Sequence, residues 1–398
     1  MDLNQTPLAN RIHIALFGIR NAGKSSLMNA LTNQNISVVS DIKGTTTDPV
    51  HKAMELLPLG PVNIIDTAGL DDTGTLGQLR IEKTKQILNK TDIAILVIDA
   101  TLDFTDFDRE ILKLITDKNL PYIVAYNKVD LIPEFKPKNK DIKQYVYINA
   151  KEKTGIEELK SQLTQLTKNT QEKFILKDIV NPQDTVVLVI PIDTAAPKGR
   201  LILPQQQVIR ELLDIGATAI MTQDDNLKHT LANLKTKPKL IITDSQAFGK
   251  VNKIVPQDIE LTSFSILFSR YKGDLKRQVN AVKILDTIKD DDKILIAEGC
   301  THHRQCDDIG TVKLPNWIKN YTKTNPEFIF TSGTEFPDDL SKYKLIIHCG
   351  GCMLNQAEMQ SRLKKAHEQH IPMSNYGTAI AYLHGILNRS IHIFSNEL

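Results

Sequence analysis

The chain has 398 residues, of which 41% are hydrophobic and 24% charged, and its formal net charge is +2 because 49 basic residues stand against 47 acidic ones. This balance gives no sign of a nucleic-acid or anionic-membrane partner, and the length suffices for two or three domains. The first residues lack the segments of a signal peptide, and no apolar run reaches the roughly 20 residues that span a bilayer. We therefore expect a cytoplasmic protein that binds neither nucleic acid nor membrane.

The first predicted element is a strand that passes through a glycine-rich turn into a helix, in RIHIALFGIRNAGKSSLMNAL at residues 11–31. Gly18, Gly23, Lys24 and Ser25 match the phosphate-binding pattern G-x-x-x-x-G-K-[ST] in its required setting. The two glycines leave the backbone N–H groups room to wrap a phosphate chain. Lys24 is expected to reach the β- and γ-phosphates, and the Ser25 hydroxyl to bind Mg²⁺.

Two later segments predict the contacts to Mg²⁺ and the γ-phosphate. The apolar run in VNIIDTAGL ends at Asp66, which we expect on the Mg²⁺ side, and the Gly69 N–H is expected to reach the γ-phosphate. The threonine-rich segment DIKGTTTDP precedes this run, and Thr45 or Thr46 is expected to close on Mg²⁺ as part of a switch. We predict Lys24, Thr46, Asp66 and Gly69 as the catalytic residues.

The base-binding contacts are predicted by IVAYNKVD and YINAK, each after a buried-strand pattern. The Asp130 carboxylate can accept both the N1 and N2 hydrogens of guanine, whereas adenine presents an acceptor at N1, so GTP is favoured over ATP. The Ala150 N–H is expected to bind the guanine oxygen. The residues predicted to contact GTP or GDP and the associated ions are Gly18, Asn21, Ala22, Gly23, Lys24, Ser25, Ser26, Thr45, Thr46, Asp66, Gly69, Asn127, Lys128, Asp130, Asn149, Ala150 and Lys151.

We predict a GTPase domain at residues 8–172. Through NAGKSSLMNAL, GTTTD, DTAGL and NKVD it resembles the GTPases of the TrmE–Era group over roughly residues 8–170. In the TrmE branch an asparagine of the phosphate-binding loop helps to hold K⁺, and Asn21 stands at that position, so the resemblance implies turnover stimulated by K⁺. The alternative is that Asn21 only shapes the turn. Leu70 stands where Ras-like enzymes carry a water-orienting glutamine, and we therefore expect slow intrinsic hydrolysis.

Residues 178–268 repeat an alternation of strands and helices. TVVLVIPI, TAIMT, PKLIITD and LTSFSILF are predicted strands, and PQQQVIRELLDIG is one of the helices between them. The alternation predicts a small parallel sheet in a second α/β domain. The segment holds no cluster of titratable residues typical of catalysis, and self-association is the better hypothesis.

The third predicted domain, residues 270–398, contains all four cysteines. The strand KILIAEGC ends at Cys300 and the strand YKLIIHC at Cys349, with Cys352 close behind; in open α/β sheets, sites form beyond such carboxyl ends. If the two strands are neighbours, these three thiols converge. The spacing leaves open an iron–sulfur cluster, a zinc ion or a redox pair.

CTHH, DDIGTVKLP, HCGGCM and NYGTAIAYLHGIL resemble the HydF family of [FeFe]-hydrogenase maturation GTPases, and the resemblance extends through all three domains. The family pattern falls on Cys300, His302, His348, Cys349 and Cys352. The resemblance implies that the three cysteines hold a [4Fe–4S] cluster with a labile fourth ligand and that the middle domain mediates formation of a homodimer. It also implies a scaffold that receives the two-iron precursor from radical-SAM maturases and passes it to the apo-hydrogenase.

The sequence thus predicts three consecutive α/β domains: an N-terminal P-loop GTPase domain with a mostly parallel sheet, a small dimerisation domain and a C-terminal iron–sulfur domain. The fourth cluster ligand stays open among His302, His348, Cys306 and an exogenous group, and His303 is expected at the surface or in packing. Two other functions remain open. One is a translation- or tRNA-related GTPase with a zinc module, and the other is a GTPase gated by oxidation of Cys349 and Cys352.

Overall fold

The computed structural model describes residues 6–32, 49–67, 76–132, 134–137, 142–168, 173–192, 201–299 and 308–398. The chain divides into two compact units, Met1–Glu172 and Lys173–Leu398. Within the described residues, no helix is both long and apolar enough to cross a membrane.

The N-terminal unit is built on a six-stranded sheet in the order β2-β3-β1-β4-β5-β6, in which only β2 runs antiparallel to its neighbour. Every residue of β4 is buried, as expected of a central strand covered by helices on both faces. The strands are Ile12–Phe17 (β1), Val50–Leu56 (β2), Gly60–Asp66 (β3), Ile93–Asp99 (β4), Tyr122–Asn127 (β5) and Tyr145–Ile148 (β6), and the helices are Lys24–Thr32 (α1), Leu76–Asn89 (α2), Asp106–Asp117 (α3) and Ile156–Lys168 (α4).

The first sheet of the C-terminal unit has four parallel strands in the order β10-β9-β7-β8. Its strands are Thr185–Val189 (β7), Thr218–Thr222 (β8), Leu240–Thr243 (β9) and Glu260–Ser263 (β10), and its helices are Leu203–Ile215 (α5), Leu227–Ala232 (α6), Phe248–Ile254 (α7) and Phe264–Lys272 (α8).

The prediction of one continuous strand in LTSFSILF was wrong. The strand β10 ends at Ser263, and the helix α8 begins at the next residue. The Ser263 hydroxyl accepts a hydrogen bond from the Ile266 N–H at 3.2 Å, so this serine caps the helix and stops the strand. An apolar run of this length is ambiguous between a buried strand and a buried helix.

The second sheet of this unit also has four parallel strands, in the order β12-β11-β13-β14. Its strands are Lys293–Ala297 (β11), Glu327–Thr331 (β12), Leu345–His348 (β13) and Met373–Asn375 (β14), and its helices are Leu275–Val282 (α9), Leu314–Thr322 (α10), Gln356–Glu368 (α11), Tyr376–Leu383 (α12) and Leu387–Ile391 (α13). The predicted class of three successive α/β domains with mostly parallel sheets is confirmed.

The two sheets of the C-terminal unit share one hydrophobic core. Val187 and Ile242 of the first sheet belong to the same buried cluster as Ile296 and Ile347 of the second. The helix α8 follows the last strand of the first sheet and packs against α11 and α12 of the second. It includes residues 268–270, the predicted boundary between the second and third domains.

Candidate functional site

The glycines of the phosphate-binding loop are fixed by close contacts. Gly18 has a φ of 138°, and a Cβ there would lie 2.2 Å from the Val97 carbonyl oxygen. Gly23 has a φ of 97°, and a Cβ there would lie 2.1 Å from Nδ2 of Asn127. A side chain at Gly18 would therefore displace β4, and one at Gly23 would displace the side chain at the end of β5. Asn21 has a φ of 59°, a left-handed conformation that asparagine tolerates better than most residues.

The predicted phosphate and Mg²⁺ residues lie together at this loop. Lys24 is buried, and its Nζ donates to the carbonyl oxygens of Gly18 and Ile19, both at 2.8 Å. The Ser25 hydroxyl donates to Oδ2 of Asp66 at 2.6 Å. Burial raises the pKa of Asp66, against the opposing effects of the Ser25 hydrogen bond and the Lys24 charge.

The other carboxylate oxygen of Asp66 is available to a metal ion. Oδ1 of Asp66 is buried, and no hydrogen-bond partner for it is present among the residues that the structure describes. A buried carboxylate oxygen without a partner is costly, and a hard cation such as Mg²⁺ would satisfy it. The donor set at Ser25 and Asp66 therefore fits Mg²⁺.

The base-binding loops are tied together by Asn127. Its Nδ2 donates to the Ala22 carbonyl at 2.8 Å, and its Oδ1 accepts the Ala150 N–H at 2.9 Å. In the following loop Oδ1 of Asn149 accepts the Lys151 N–H at 3.0 Å. Asn127 thus joins the phosphate-binding loop to the loop after β6.

The two charged residues after Asn127 have different environments. Lys128 has a φ of 64°, and its Nζ pairs with Oδ2 of Asp99 at 2.6 Å. Asp130 is exposed on a short 3₁₀ turn, where its carboxylate can meet a ligand. Asp99 was not predicted as a site residue, although its position at the carboxyl end of a buried strand is where open α/β sheets form sites.

Ser26 lies in the first turn of α1, beside the other loop residues. The predicted switch residues Thr45, Thr46 and Gly69 lie outside the described residues. So does Leu70, which stands where Ras-like enzymes carry a glutamine.

The two cysteine-bearing strands are neighbours. The strand β11 pairs in parallel with β13, and Ala297 lies opposite His348. Since β12 flanks β11 on its other side, the carboxyl ends of β11 and β13 form the point where the strand order reverses, which is where open α/β sheets bind ligands. The Gly299 N–H donates to Sγ of Cys349 at 3.1 Å, and Gly299 directly precedes Cys300 in sequence.

The loop after β13 is tightly packed around these sulfurs. A second N–H, that of Gly351, donates to Sγ of Cys349 at 3.4 Å. Gly351 has a φ of 62°, and a Cβ there would lie 2.7 Å from Sδ of Met359. A Cβ on Gly299 would lie 2.7 Å from Cγ of Leu354. Hydrogen bonds from backbone N–H groups to sulfur are one means by which proteins set the reduction potential of an iron–sulfur cluster.

Cys349 and Cys352 carry thiols and no disulfide. Burial, reinforced by the charge of Cys349 and opposed by that of Lys272, raises the pKa of Cys352 to about 11. Two nearby sulfurs, one of which accepts hydrogen bonds from backbone N–H groups, are suitable ligands for a soft metal or an iron–sulfur cluster. No group of three potential ligands is present among the described residues, a set that excludes Cys300, His302, His303 and Cys306.

His348 is fully buried, and both of its ring nitrogens have partners. Nε2 lies 2.9 Å from Nη1 of Arg362, and Nδ1 lies 2.8 Å from the Cys349 carbonyl oxygen. Because a guanidinium only donates, Nε2 is the acceptor and Nδ1 carries the hydrogen. Arg362 itself is held by the Gly333 carbonyl and by Glu358, both at 2.7 Å. His348 would have to give up its bond from Arg362 before Nε2 could bind iron.

Three buried charged residues around this loop were not predicted from the sequence: Lys272, Glu298 and Arg362. Glu298 accepts a hydrogen bond from the Tyr376 hydroxyl at 3.1 Å. Burial and the Glu298 charge raise the pKa of Tyr376 well above its usual value. A charged residue that becomes buried through tertiary contacts gives no local sequence signal.

Three family models match successive parts of the chain. The model described as 50S ribosome-binding GTPase matches residues 13–128, the hydrogen maturase F dimerization domain matches 175–273, and the hydrogen maturase F tetramerization domain matches 276–393. The N-terminal unit is a P-loop GTPase domain, and the rest carries domains named for homo-oligomer formation. Tetramerization was not among the predictions from sequence.

Curated relatives match the GTPase part. The tRNA modification GTPase MnmE of Thermoanaerobacter sp. is 36% identical over 157 residues, 38% of this chain and 34% of the relative. GTPase Der of Wolinella succinogenes is 35% identical over 186 residues, 44% of this chain and 39% of the relative. The chain thus spans little more than a third of these relatives' length. A crystal structure of Era from Aquifex aeolicus, 22% identical, covers 53% of this chain and 92% of that one at a TM-score of 0.36, a likeness that carries no argument.

Proposed function

We propose that this chain, which belongs to the hydrogen maturase F family, holds the two-iron precursor of the [FeFe]-hydrogenase active site and delivers it to the apo-hydrogenase. It receives that precursor from radical-SAM maturases in the cytoplasm and works as a homo-oligomer. Its GTPase domain binds and hydrolyses GTP, and the nucleotide state sets its affinity for these partners.

The observation that supports the carrier role most strongly is the pairing of β11 with β13. It brings the Gly299 N–H within 3.1 Å of Sγ of Cys349, one residue before Cys300 in sequence. We assign Cys300, Cys349 and Cys352 as ligands of a [4Fe–4S] cluster. Three thiolates leave one iron open to exchange, and this supplies a position at which iron cargo can dock.

The fourth cluster ligand in this proposal is His302, Cys306 or an exogenous group. His348, the remaining candidate, lies close to the sulfurs, but its Nε2 accepts from Arg362 at 2.9 Å. A histidine in this position stabilises the loop that carries the ligands.

In this proposal the GTPase domain positions the phosphates of GTP and stabilises their negative charge. Lys24 reaches the β- and γ-phosphates, Ser25, Asp66 and Thr46 hold Mg²⁺, and the Gly69 N–H meets the γ-phosphate. The buried Oδ1 of Asp66 supports this assignment, because within the described residues it has no other partner.

Guanine selection is assigned to the loops that follow β5 and β6. Asn127 is the last residue of β5, Lys128 and Asp130 follow it, and Asn149, Ala150 and Lys151 follow β6. Asn21 helps to hold K⁺ beside the phosphates. Thr45 and Thr46 respond to the γ-phosphate, which links the nucleotide state to partner binding.

Anaerobic purification with iron, sulfide and zinc analysis tests the carrier role. The wild-type chain is expected to bind about four iron and four sulfide per chain, and Cys300→Ser, Cys349→Ser and Cys352→Ser are each expected to lose most of both. Cys306→Ser, which removes only a candidate fourth ligand, is expected to keep them, because the three other thiolates suffice to hold the cluster. A protein that purifies with zinc and no iron, or a wild-type cluster that never activates apo-hydrogenase, would contradict the proposal.

A further inference from the structure

Lys272, the last residue of α8, is buried beside the cysteine loop. Its side chain is 2% exposed, and its Nζ donates to the carbonyl oxygens of Gly351 at 3.2 Å, Cys352 at 3.3 Å and Leu354 at 2.7 Å. The turn that these carbonyls belong to is closed by the Leu354 N–H, which donates to the Gly351 carbonyl at 3.1 Å. One ammonium group therefore binds three of the four carbonyls between residues 351 and 354.

The backbone of Lys272 is anchored as well. Nε2 of Gln360 in α11 donates to the carbonyl oxygens of Lys272 at 2.8 Å and of Gly273 at 3.2 Å. The Nζ also lies 5.7 Å from the centre of the Phe268 ring, one turn back along α8. Removing a lysine ammonium from water is costly unless its hydrogens are bonded, and here three carbonyls and an aromatic face compensate for that cost.

Lys272 belongs to the segment that matches the dimerization model, residues 175–273, whereas the cysteine loop belongs to the segment that matches the tetramerization model. The hydrogen bonds from Lys272 to the cysteine loop therefore connect the segment that matches the dimerization model to the segment that matches the tetramerization model. Gly351, which accepts from Lys272, also donates its N–H to Sγ of Cys349. A lysine at this place both fixes the turn and puts a positive charge next to the sulfurs.

We infer that Lys272 is a positioning residue of the iron–sulfur site: it holds the turn at residues 351–354 in the shape that presents Cys349 and Cys352, and it provides a buried positive charge beside the cluster. This inference rests on the proposed function. A nearby cation stabilises the more negative, reduced state of a cluster. Lys272 therefore raises the reduction potential of the cluster as well as ordering its ligands.

Lys272→Met tests this role, with Leu267→Ala as the matched control. Leu267 is fully buried on the same helix, so its truncation weakens the packing of α8 and leaves the donors to the turn in place. Hydrogen–deuterium exchange of the segment 349–355 is measured in the metal-free chain, and iron content and reduction potential are measured after anaerobic reconstitution.

Lys272→Met is expected to increase early deuterium uptake of the segment roughly fivefold, because its carbonyls lose their donor. It is also expected to bind less than half of the wild-type iron and to shift the cluster to a more negative potential. Lys272→Arg, which keeps charge and donors, is expected to restore the potential, and Leu267→Ala to leave it unchanged. Should Lys272→Met not fold, Lys272→Gln serves in its place, and the negative shift is still expected because the charge is absent.

Wild-type uptake together with a wild-type potential in Lys272→Met would overturn the inference. A wild-type chain that binds no iron would refute the proposed function instead. The exchange measurement on the metal-free chain would still decide whether Lys272 orders the turn.

Discussion

The nucleotide site and the cysteine site both lie beyond the carboxyl ends of parallel strands, but they are stabilised by different kinds of residue. In the nucleotide site the motif residues bond to one another, as Asn127 does to Ala22 and Ala150. In the cysteine site, residues outside the motif hold the loop: Lys272 binds its carbonyls, and Arg362 binds His348.

This difference follows from what each site has to recognise. A phosphate chain is bound largely by backbone N–H groups, so the sequence that shapes the loop also forms the site. In the proposed cluster site most of the ligands are sulfur atoms, and their spacing does not determine how the loop between them is folded. The surrounding helices must supply that geometry.

The largest effect is expected where the nucleotide loop has no freedom to relax. Gly18→Ala places a Cβ 2.2 Å from the Val97 carbonyl oxygen at a φ of 138°. We expect a loss of more than about 3 kcal/mol in the stability of the N-terminal unit and a GTP affinity reduced by at least about 100-fold. Thermal unfolding and titration with a fluorescent GTP analogue measure the two effects.

Gly60→Ala is the matched control for this variant. Gly60 also has a positive φ, 89°, but a Cβ there would meet no atom within 4 Å. Gly60→Ala is therefore expected to lose only the stability that the positive φ costs an alanine, about 1 kcal/mol, and to bind GTP normally. Equal losses in the two variants would show that backbone strain, and not the contact with β4, requires glycine at position 18.

A smaller effect is expected from the removal of the Asn21 side chain, which we propose helps to hold K⁺. Asn21 has a φ of 59°, so Asn21→Gly removes the side chain without straining the turn. We expect K⁺ to raise wild-type GTP hydrolysis roughly tenfold over Na⁺ and to have no such effect on Asn21→Gly. Steady-state rates in KCl and NaCl at equal ionic strength provide the measurement. Equal wild-type rates in the two salts would restrict Asn21 to shaping the turn.

The P-loop fold of the GTPase domain could be predicted from the sequence because its chemistry depends on local spacing. The spacing of Gly18 and Gly23 and the strand before them are visible in one stretch of residues. The sequence also predicted that the strands ending at Cys300 and Cys349 could be neighbours, and β11 and β13 do pair.

What the sequence could not predict depends on contacts between distant segments. Lys272 and Leu354 are 82 positions apart, and nothing in the string SRYKGD distinguishes a buried lysine from an exposed one. The hydrophobic core shared by the second and third predicted domains could not be predicted from the sequence for the same reason. The start of α8 was misjudged because an apolar run does not reveal that Ser263 acts as a helix cap.

The smallest effect is expected at His348, where the two sites can be compared most directly. In the nucleotide site a buried motif residue such as Asp66 has an oxygen without a partner among the described residues, whereas both ring nitrogens of His348 are occupied. We therefore expect His348→Gln to keep its iron and the electron paramagnetic resonance spectrum of its reduced cluster. Its stability is expected to fall by about 1–2 kcal/mol, since a glutamine replaces only part of the hydrogen bonding.

His367→Gln, at an exposed position on α11, is the control and is expected to change neither property. If His348→Gln altered the resonance spectrum while His367→Gln did not, the imidazole would bind iron in the loaded protein, and Arg362 would have to release Nε2 when the cluster forms. The proposed cluster site would then resemble the nucleotide site in having a buried motif side chain, besides the sulfurs, that binds the metal. Retained iron and an unchanged spectrum would instead place His348 with Lys272, among the residues that shape the loop and do not bind the metal.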